Sequence, residues 1–364
     1  MTGRPGWRRT LGLQVLAASA LLGAGTASPP DIATLRTLYA GPPDSWPAPT
    51  LHEGARFTEF GPRPPVKHPA DNPPSPAKVA LGERLFNDPK LSGSGQFACA
   101  SCHNPELGLG DGLKTAFGHD RQRGQRNAPH LFAVAWQSSF FWDGRAASLE
   151  EQALMPIANP IEMAGDGDVI VERLYAVPDY RADFAKAFGD ESISLERIAQ
   201  ALATFERTLK PRSSLWDRAL ERGTGVFNDQ QLLGLHLFRT KAGCANCHSG
   251  PLFTDDGFHN IGLTYYGRKL EDLGRFTMTG VSADVGRFKT PSLRGLSRTG
   301  PYMHNGVMPR LQGVVAFYNG GGANPRPTAE QADDPKFPRT DPLLKPLDLS
   351  REEQAALVAF LETL

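Results

Sequence analysis

Cys99-Ala100-Ser101-Cys102-His103 and Cys244-Ala245-Asn246-Cys247-His248 decide how the rest of this chain is read. Each is a C-x-x-C-H run, and together they use all four cysteines of the 364-residue sequence. A single C-x-x-C can be a redox dithiol or half of a zinc site. Neither reading explains a histidine directly after both pairs. The spacing suits c-type haem attachment, in which two thiols add across the haem vinyls and the next histidine ligates the iron. The sequence therefore predicts two covalently bound haem c groups. Cys99 and Cys102 attach the first, with His103 on its iron; Cys244 and Cys247 attach the second, with His248 on its iron. With every cysteine committed, no disulfide is available, and the cofactors must do the work of a staple.

Working outward, the residues before each motif repeat. Gly82, Leu85 and Phe86 precede the first pair, and Gly234, Leu237 and Phe238 precede the second with the same internal spacing. Val79, Leu81, Leu85 and Phe86 give an apolar stripe to a helix beginning near Ser75. Ile193, Leu195, Ile198, Leu202 and Phe205 recur at helical spacing over 193–209, ahead of the stop at Pro211. Another helix is expected over about 230–238. A last one starts at Ser350, where Glu353 completes a capping box. Most of the remainder reads as Gly- and Pro-punctuated loop. The fold expected is mainly α, with two cytochrome c-like helical domains, each built around one haem. They span 75–215 and 216–364, with the break near 210–225.

The first 27 residues read as an export signal: Arg4, Arg8 and Arg9, then an apolar stretch from Leu11 to Leu22, then small residues to Ala27. A membrane anchor is the alternative, but the stretch is short against the ~20 apolar residues a span needs. No later segment reaches that length without charge, so the mature chain is expected to have no span. Residues 28–74 hold 12 of the 31 prolines (Pro76 makes a thirteenth just beyond), and read as an extended segment over the surface. The whole chain carries 39 basic and 39 acidic residues, and losing the three leader arginines leaves 36 against 39. That balance excludes nucleic acid as the main partner, since phosphate binding wants a basic surface. A periplasmic location fits best.

Further runs carry a resemblance: Arg126-Asn127-Ala128-Pro129, Phe141-Trp142-Asp143-Gly144-Arg145-Ala146, Leu149-Glu150-Glu151-Gln152-Ala153 and Asn159-Pro160-Ile161-Glu162-Met163. The second half adds Gly250-Pro251-Leu252-Phe253, Thr290-Pro291-Ser292-Leu293-Arg294 and Pro301-Tyr302-Met303-His304-Asn305-Gly306. With the two haem motifs, residues 75–364 resemble the bacterial di-haem cytochrome c peroxidase and MauG superfamily. The resemblance implies that the first haem meets peroxide and the second takes in or shares electrons. It implies that His119 is the loop histidine that leaves the first iron when the second haem is reduced, a gate that admits oxidant only when an electron is ready. It makes Glu162 the distal acid, Gln152 its neighbouring amide, and Trp142 the relay between the haems. It makes Asn127, Thr299 and Pro301 the ligands of a Ca²⁺ ion between the domains, and oxygen donors suit that ion.

Two departures matter. Where the peroxidases put a methionine on the second iron, alignment through Thr299 and Pro301 puts Tyr318, as MauG has; Met303 is the rival ligand. The tryptophan that MauG carries six residues before its second haem histidine is Ala242 here. The expected activity is that of a cytochrome c peroxidase-type oxidoreductase, reducing hydrogen peroxide with electrons from a small cytochrome c or cupredoxin. One alternative is a MauG-like enzyme that oxidises tryptophan or tyrosine on a partner protein. The other is a di-haem electron carrier without peroxidase activity. A homodimer is compatible with the peroxidase reading.

Overall fold

Polar caps start the main helices close to where the sequence put them. Ser75 Oγ accepts the Lys78 N–H at 3.1 Å, Ser194 Oγ that of Arg197 at 3.2 Å, and Asn228 Oδ1 that of Gln231 at 2.9 Å. Ser350 and Glu353 cap one another, Ser350 N–H to Glu353 at 2.8 Å and Glu353 N–H to Ser350 at 3.2 Å. The computed structural model describes Met1 and residues 29–211 and 213–364; apart from Met1, the expected leader at 1–27 lies outside them. Among the described residues the helices are α1 (Ile32–Leu38), α2 (Pro76–Asn87), α3 (Cys99–Cys102), α4 (Leu149–Ala158), α5 (Gly167–Tyr175), α6 (Pro178–Phe188), α7 (Leu195–Glu206), α8 (Leu215–Arg222), α9 (Asp229–Arg239), α10 (Phe276–Thr279), α11 (Leu311–Asn319) and α12 (Arg351–Leu361). One two-residue antiparallel pair joins β1 (Phe258–His259) to β2 (Phe288–Lys289).

The repeated glycine has a steric purpose. In the first half α2 crosses α7 so closely that a Cβ on Gly82 would lie 2.0 Å from the Ala201 carbonyl oxygen. In the second half α9 crosses α12, and a Cβ on Gly234 would lie 2.0 Å from the Ala356 carbonyl oxygen. Leu85 and Phe86, and Leu237 and Phe238, are buried beside these crossings. Two separate cores result. One gathers residues between Leu81 and Ala203, the other residues of the second half around Trp216, Phe238, Phe253 and Phe360.

Two expectations change. The segment expected to be extended surface chain contains helix α1 and inserts Leu35, Tyr39, Trp46 and Phe60 into the second core. Arg239, with none of its surface exposed, holds it there. Its guanidinium binds both Glu59 oxygens, at 2.5 and 3.0 Å, and the Pro47 carbonyl at 2.9 Å, among Trp46, Phe57 and Phe60. Helices α4, α5, α6 and α8 occupy segments read as loop. α6 begins on Pro178, where proline's missing N–H costs nothing.

Candidate haem sites and the interface between them

The two C-x-x-C-H histidines sit in matching cradles. His103 Nδ1 lies 3.0 Å from the Leu109 carbonyl, and His248 Nδ1 lies 2.9 Å from that of Phe253. Both carbonyl-bearing residues have left-handed backbone, φ 59° and 54°. A carbonyl accepts only an N–H, so each ring carries its proton on Nδ1 and turns a bare Nε2 outward, the form that binds iron. Burial lowers both histidines' pKa and keeps the rings neutral. Burial, then the Glu206 carboxylate, push the Cys99 thiol up to about 12, and burial, then Asp111, push Cys102 up to about 11. Thiols so desolvated are poor redox nucleophiles, which counts against a dithiol.

At the first site, α4 carries Gln152 and Pro156 four residues apart on one face. The turn after it brings Glu162 close enough for its charge to act on Cys102. Asn159 Nδ2 donates to Glu162 Oε1 at 2.8 Å. Burial raises the Glu162 carboxyl above the ordinary carboxylate range, against the opposing pull of Arg145 and Asn159. The His119 loop lies against this turn. Its main-chain N–H donates to the Glu162 carbonyl at 2.8 Å, and its enclosed Nδ1 has no partner among the described residues. A Cβ on the preceding Gly118 would come within 2.1 Å of the Ile161 carbonyl oxygen. The structure thus brings Glu162 and His119 together.

Trp142 is tied to both halves. Its indole N–H donates to the Asn127 carbonyl at 2.9 Å, and its own carbonyl accepts the Lys289 N–H at 2.8 Å. Beside it runs a network invisible in the sequence. Arg126 donates to both Asp272 oxygens, at 2.7 and 2.8 Å, and to Asp143 at 2.6 Å, so one guanidinium bridges the halves next to the tryptophan. The calcium candidates lie here too. Asn127, Thr299 and Pro301 border a common cavity. The Asn127 side-chain N–H₂ donates to the Leu113 carbonyl at 2.9 Å, leaving its oxygen for another partner.

That cavity is the second site, about 1710 Å³ of empty space with its open mouth included. Cys244, Cys247 and His248 line one side, and Leu311, Val314, Val315 and Leu357 give it apolar walls of the kind a porphyrin needs. Tyr318 and Met303 both border it, and no described residue hydrogen-bonds to the Tyr318 hydroxyl. Burial, and then Cys247 and Cys244, raise its pKa. Ala242 is buried, 4% exposed, under the N-terminal segment. There Thr50 N–H donates to the Arg239 carbonyl at 2.9 Å and His52 N–H to Asn246 Oδ1 at 2.7 Å. His259, clasped between Asp255 (2.8 Å) and Asp341 (2.7 Å), completes the cavity edge.

A pair of crossed-helix units, each presenting a C-x-x-C-H cradle, is the arrangement of a di-haem c-type oxidoreductase. Comparison with known proteins agrees. Residues 76–225 match the family model of di-haem cytochrome c peroxidase. The methylamine utilization protein MauG of Methylorubrum extorquens is 46% identical over 82% of this chain and 81% of its own length. The cytochrome-c peroxidase IdrP1 of a Pseudomonas species is 36% identical over 84% and 85%. A solved MauG-like protein associated with microbial copper homeostasis superposes with a TM-score of 0.74 at 33% identity, over 83% of this chain and 93% of that one. The chain belongs to the di-haem cytochrome c peroxidase and MauG family. It is an oxidoreductase of the di-haem peroxidase type that binds c-type haem and reduces hydrogen peroxide.

Proposed function

We propose that the protein works in the periplasm, reducing peroxide at a haem held by Cys99, Cys102 and His103. Cys244, Cys247 and His248 would hold a second haem, which would take in electrons from a small soluble redox protein. The matched Nδ1-to-carbonyl cradles carry this reading. When bound, the first haem supplies the iron at which peroxide is reduced; the chain's own side chains handle protons and access. Glu162, with a raised pKa and one oxygen not engaged by Asn159, takes the proton from the inner peroxide oxygen and returns it to the outer one. Gln152 orients the oxidant. His119 gates the site, and Trp142 relays charge between the cofactors. Asn127, Thr299 and Pro301 hold Ca²⁺, stiffening the contact that Trp142 bridges. Stopped-flow spectra of the holoprotein with peroxide, fully ferric and then half-reduced, test the reading. Reaction only after half-reduction is expected, and inertness in both states overturns it.

A second reading has its own observation. Tyr318 borders the second cavity, and no described residue hydrogen-bonds to its hydroxyl, which leaves the oxygen open to an iron. As a phenolate, Tyr318 would hold the second haem's iron and would stabilise its ferric form, which would favour MauG-like chemistry with a partner protein as the substrate. Fast reaction of the fully ferric protein, lost in Tyr318→Met, would support it over the gated peroxidase.

A further inference from the structure

The second C-x-x-C-H cradle is braced from the other half of the molecule. His248 Nδ1 gives its proton to the Phe253 carbonyl at 2.9 Å, and Phe253 presents that carbonyl from left-handed backbone, φ 54°. A bulky residue keeps such a conformation only where its surroundings over-determine it. One constraint sits next door: the Leu252 carbonyl accepts the Ser292 hydroxyl at 2.6 Å. Ser292 is 3% exposed, and its Oγ also takes the Arg294 N–H at 3.2 Å, so the hydroxyl is engaged both as donor and as acceptor. The Ser292 carbonyl in turn lies 3.1 Å from Nε2 of His130, a residue of the first half that is followed by Leu131 and Phe132 of the first core. The His130 ring has no freedom of role. A carbonyl only accepts, so Nε2 carries the proton, and Nδ1 accepts the Phe132 N–H at 3.3 Å. Phe132 fixes the same loop sterically, since a Cβ on Gly295 would come within 2.6 Å of its ring. The 130–132 loop therefore docks on the 292–295 turn at two points.

We infer that His130 is a positioning residue for the second haem: through Ser292 it holds the turn whose Phe253 carbonyl orients His248. This rests on the reading that His248 ligates the second haem. The links run without a gap, from His130 to the Ser292 carbonyl, from the Ser292 hydroxyl to Leu252, across the next peptide to Phe253, and from its carbonyl to the His248 ring. A carbonyl that draws on the Nδ1–H makes an imidazole a more basic ligand, and a more basic ligand favours ferric iron. Keeping the carbonyl in line therefore keeps the second haem's potential down. The first half thus sets how readily the second half takes up an electron, and it does so without contact between His130 and the iron ligand.

The test uses the holoprotein, with redox titrations and electron paramagnetic resonance spectra of the ferric haems. His130→Leu fills the space and loses the donor; His130→Gln keeps an N–H for the same carbonyl. The Leu variant should raise the second haem's midpoint potential and shift its g-values, and the Gln variant should return both towards the parent. Ser292→Ala cuts the same path further along and should shift both in the same direction. The double variant His130→Leu/Ser292→Ala should go no further than the larger single shift, because links in series do not add. An unaltered potential and spectrum in a fully haem-loaded His130→Leu protein overturn the inference. So do additive shifts, which would mean that His130 acts on the cofactor by another route. A His248→Ala holoprotein whose second-haem signal matches the parent's refutes the placing of His248 on that iron, a separate failure.

Discussion

The main-chain N–H of His119 and the carbonyl of Glu162 are joined at 2.8 Å, so the loop that holds the proposed gate is hung on the turn that holds the proposed acid. Displacing one disturbs the other. His119→Ala removes the ring and keeps this bond. We expect its fully ferric form to react with peroxide without prior reduction, seen as a rapid Soret change on mixing. A ferric variant as inert as the parent denies His119 the gating role.

Gly118→Ala reaches the same gate sterically. Its Cβ would sit 2.1 Å from the Ile161 oxygen and 2.6 Å from that of Glu162, so the loop must back away. Prereduction should become less necessary, and stability should drop by ~1–3 kcal/mol, as for other overpacked contacts. Denaturant melts read the second effect and stopped-flow the first.

Glu162→Gln keeps the shape and the Asn159 contact but cannot cycle a proton. Peroxide turnover should fall by ~10²–10⁴ with haem content and melting temperature preserved. Steady-state assays with an artificial electron donor measure it, and full turnover in this variant rules out acid–base work by this residue.

Glu206 at the end of α7 is 5% exposed, and its Oε2 is enclosed without a partner among the described residues. Burial pushes its pKa from the ordinary 4.5 up to about 8. A folded state that holds a proton more tightly than the unfolded chain loses stability as pH rises. The contribution is complete below about pH 4.5 and gone above about pH 8. Urea unfolding midpoints should therefore decline across that window, and Glu206→Gln should flatten the decline. Parallel pH profiles for the two proteins would show that another group carries the effect.

Gly82→Ala and Gly234→Ala address the two helix crossings separately. Alanine favours an isolated helix, yet each new methyl would meet a facing carbonyl oxygen at 2.0 Å. We expect each to destabilise its own half by ~1–3 kcal/mol. Calorimetric scans in which the substitutions shift different transitions would also establish that the halves melt apart.

The sequence made the cofactor-facing parts legible because their chemistry is local. A C-x-x-C-H run, a Gly-x-x-Leu-Phe stretch and a Ser-x-x-Glu cap each state their purpose within a few residues. Helices α5 and α6 were not legible, because Gly167 and Pro178 read as breakers when in fact they open helices. Helix α4 carries Pro156 inside it, which removes the bond to the Gln152 carbonyl without ending the helix. Other features were beyond reach because their partners are far apart in the chain. Arg126 and Asp272 are 146 residues apart, and Arg239 and Glu59 180. Composition gives no hint that a charge network flanks Trp142. Nor does a proline-rich stretch announce that Trp46 and Phe60 belong to a core assembled from residues beyond 215.

That last arrangement bears on the order in which the molecule is made. Residues 32–60 leave the ribosome before the helices α8, α9 and α12 that form their seat. The first half has no such debt to distant sequence and can close around its own helices as soon as α7 is present. Once seated, the early segment lies across the Cys244–Cys247 loop through Thr50 and His52. The N-terminal segment is thus a clasp that can fasten only after those helices have been made.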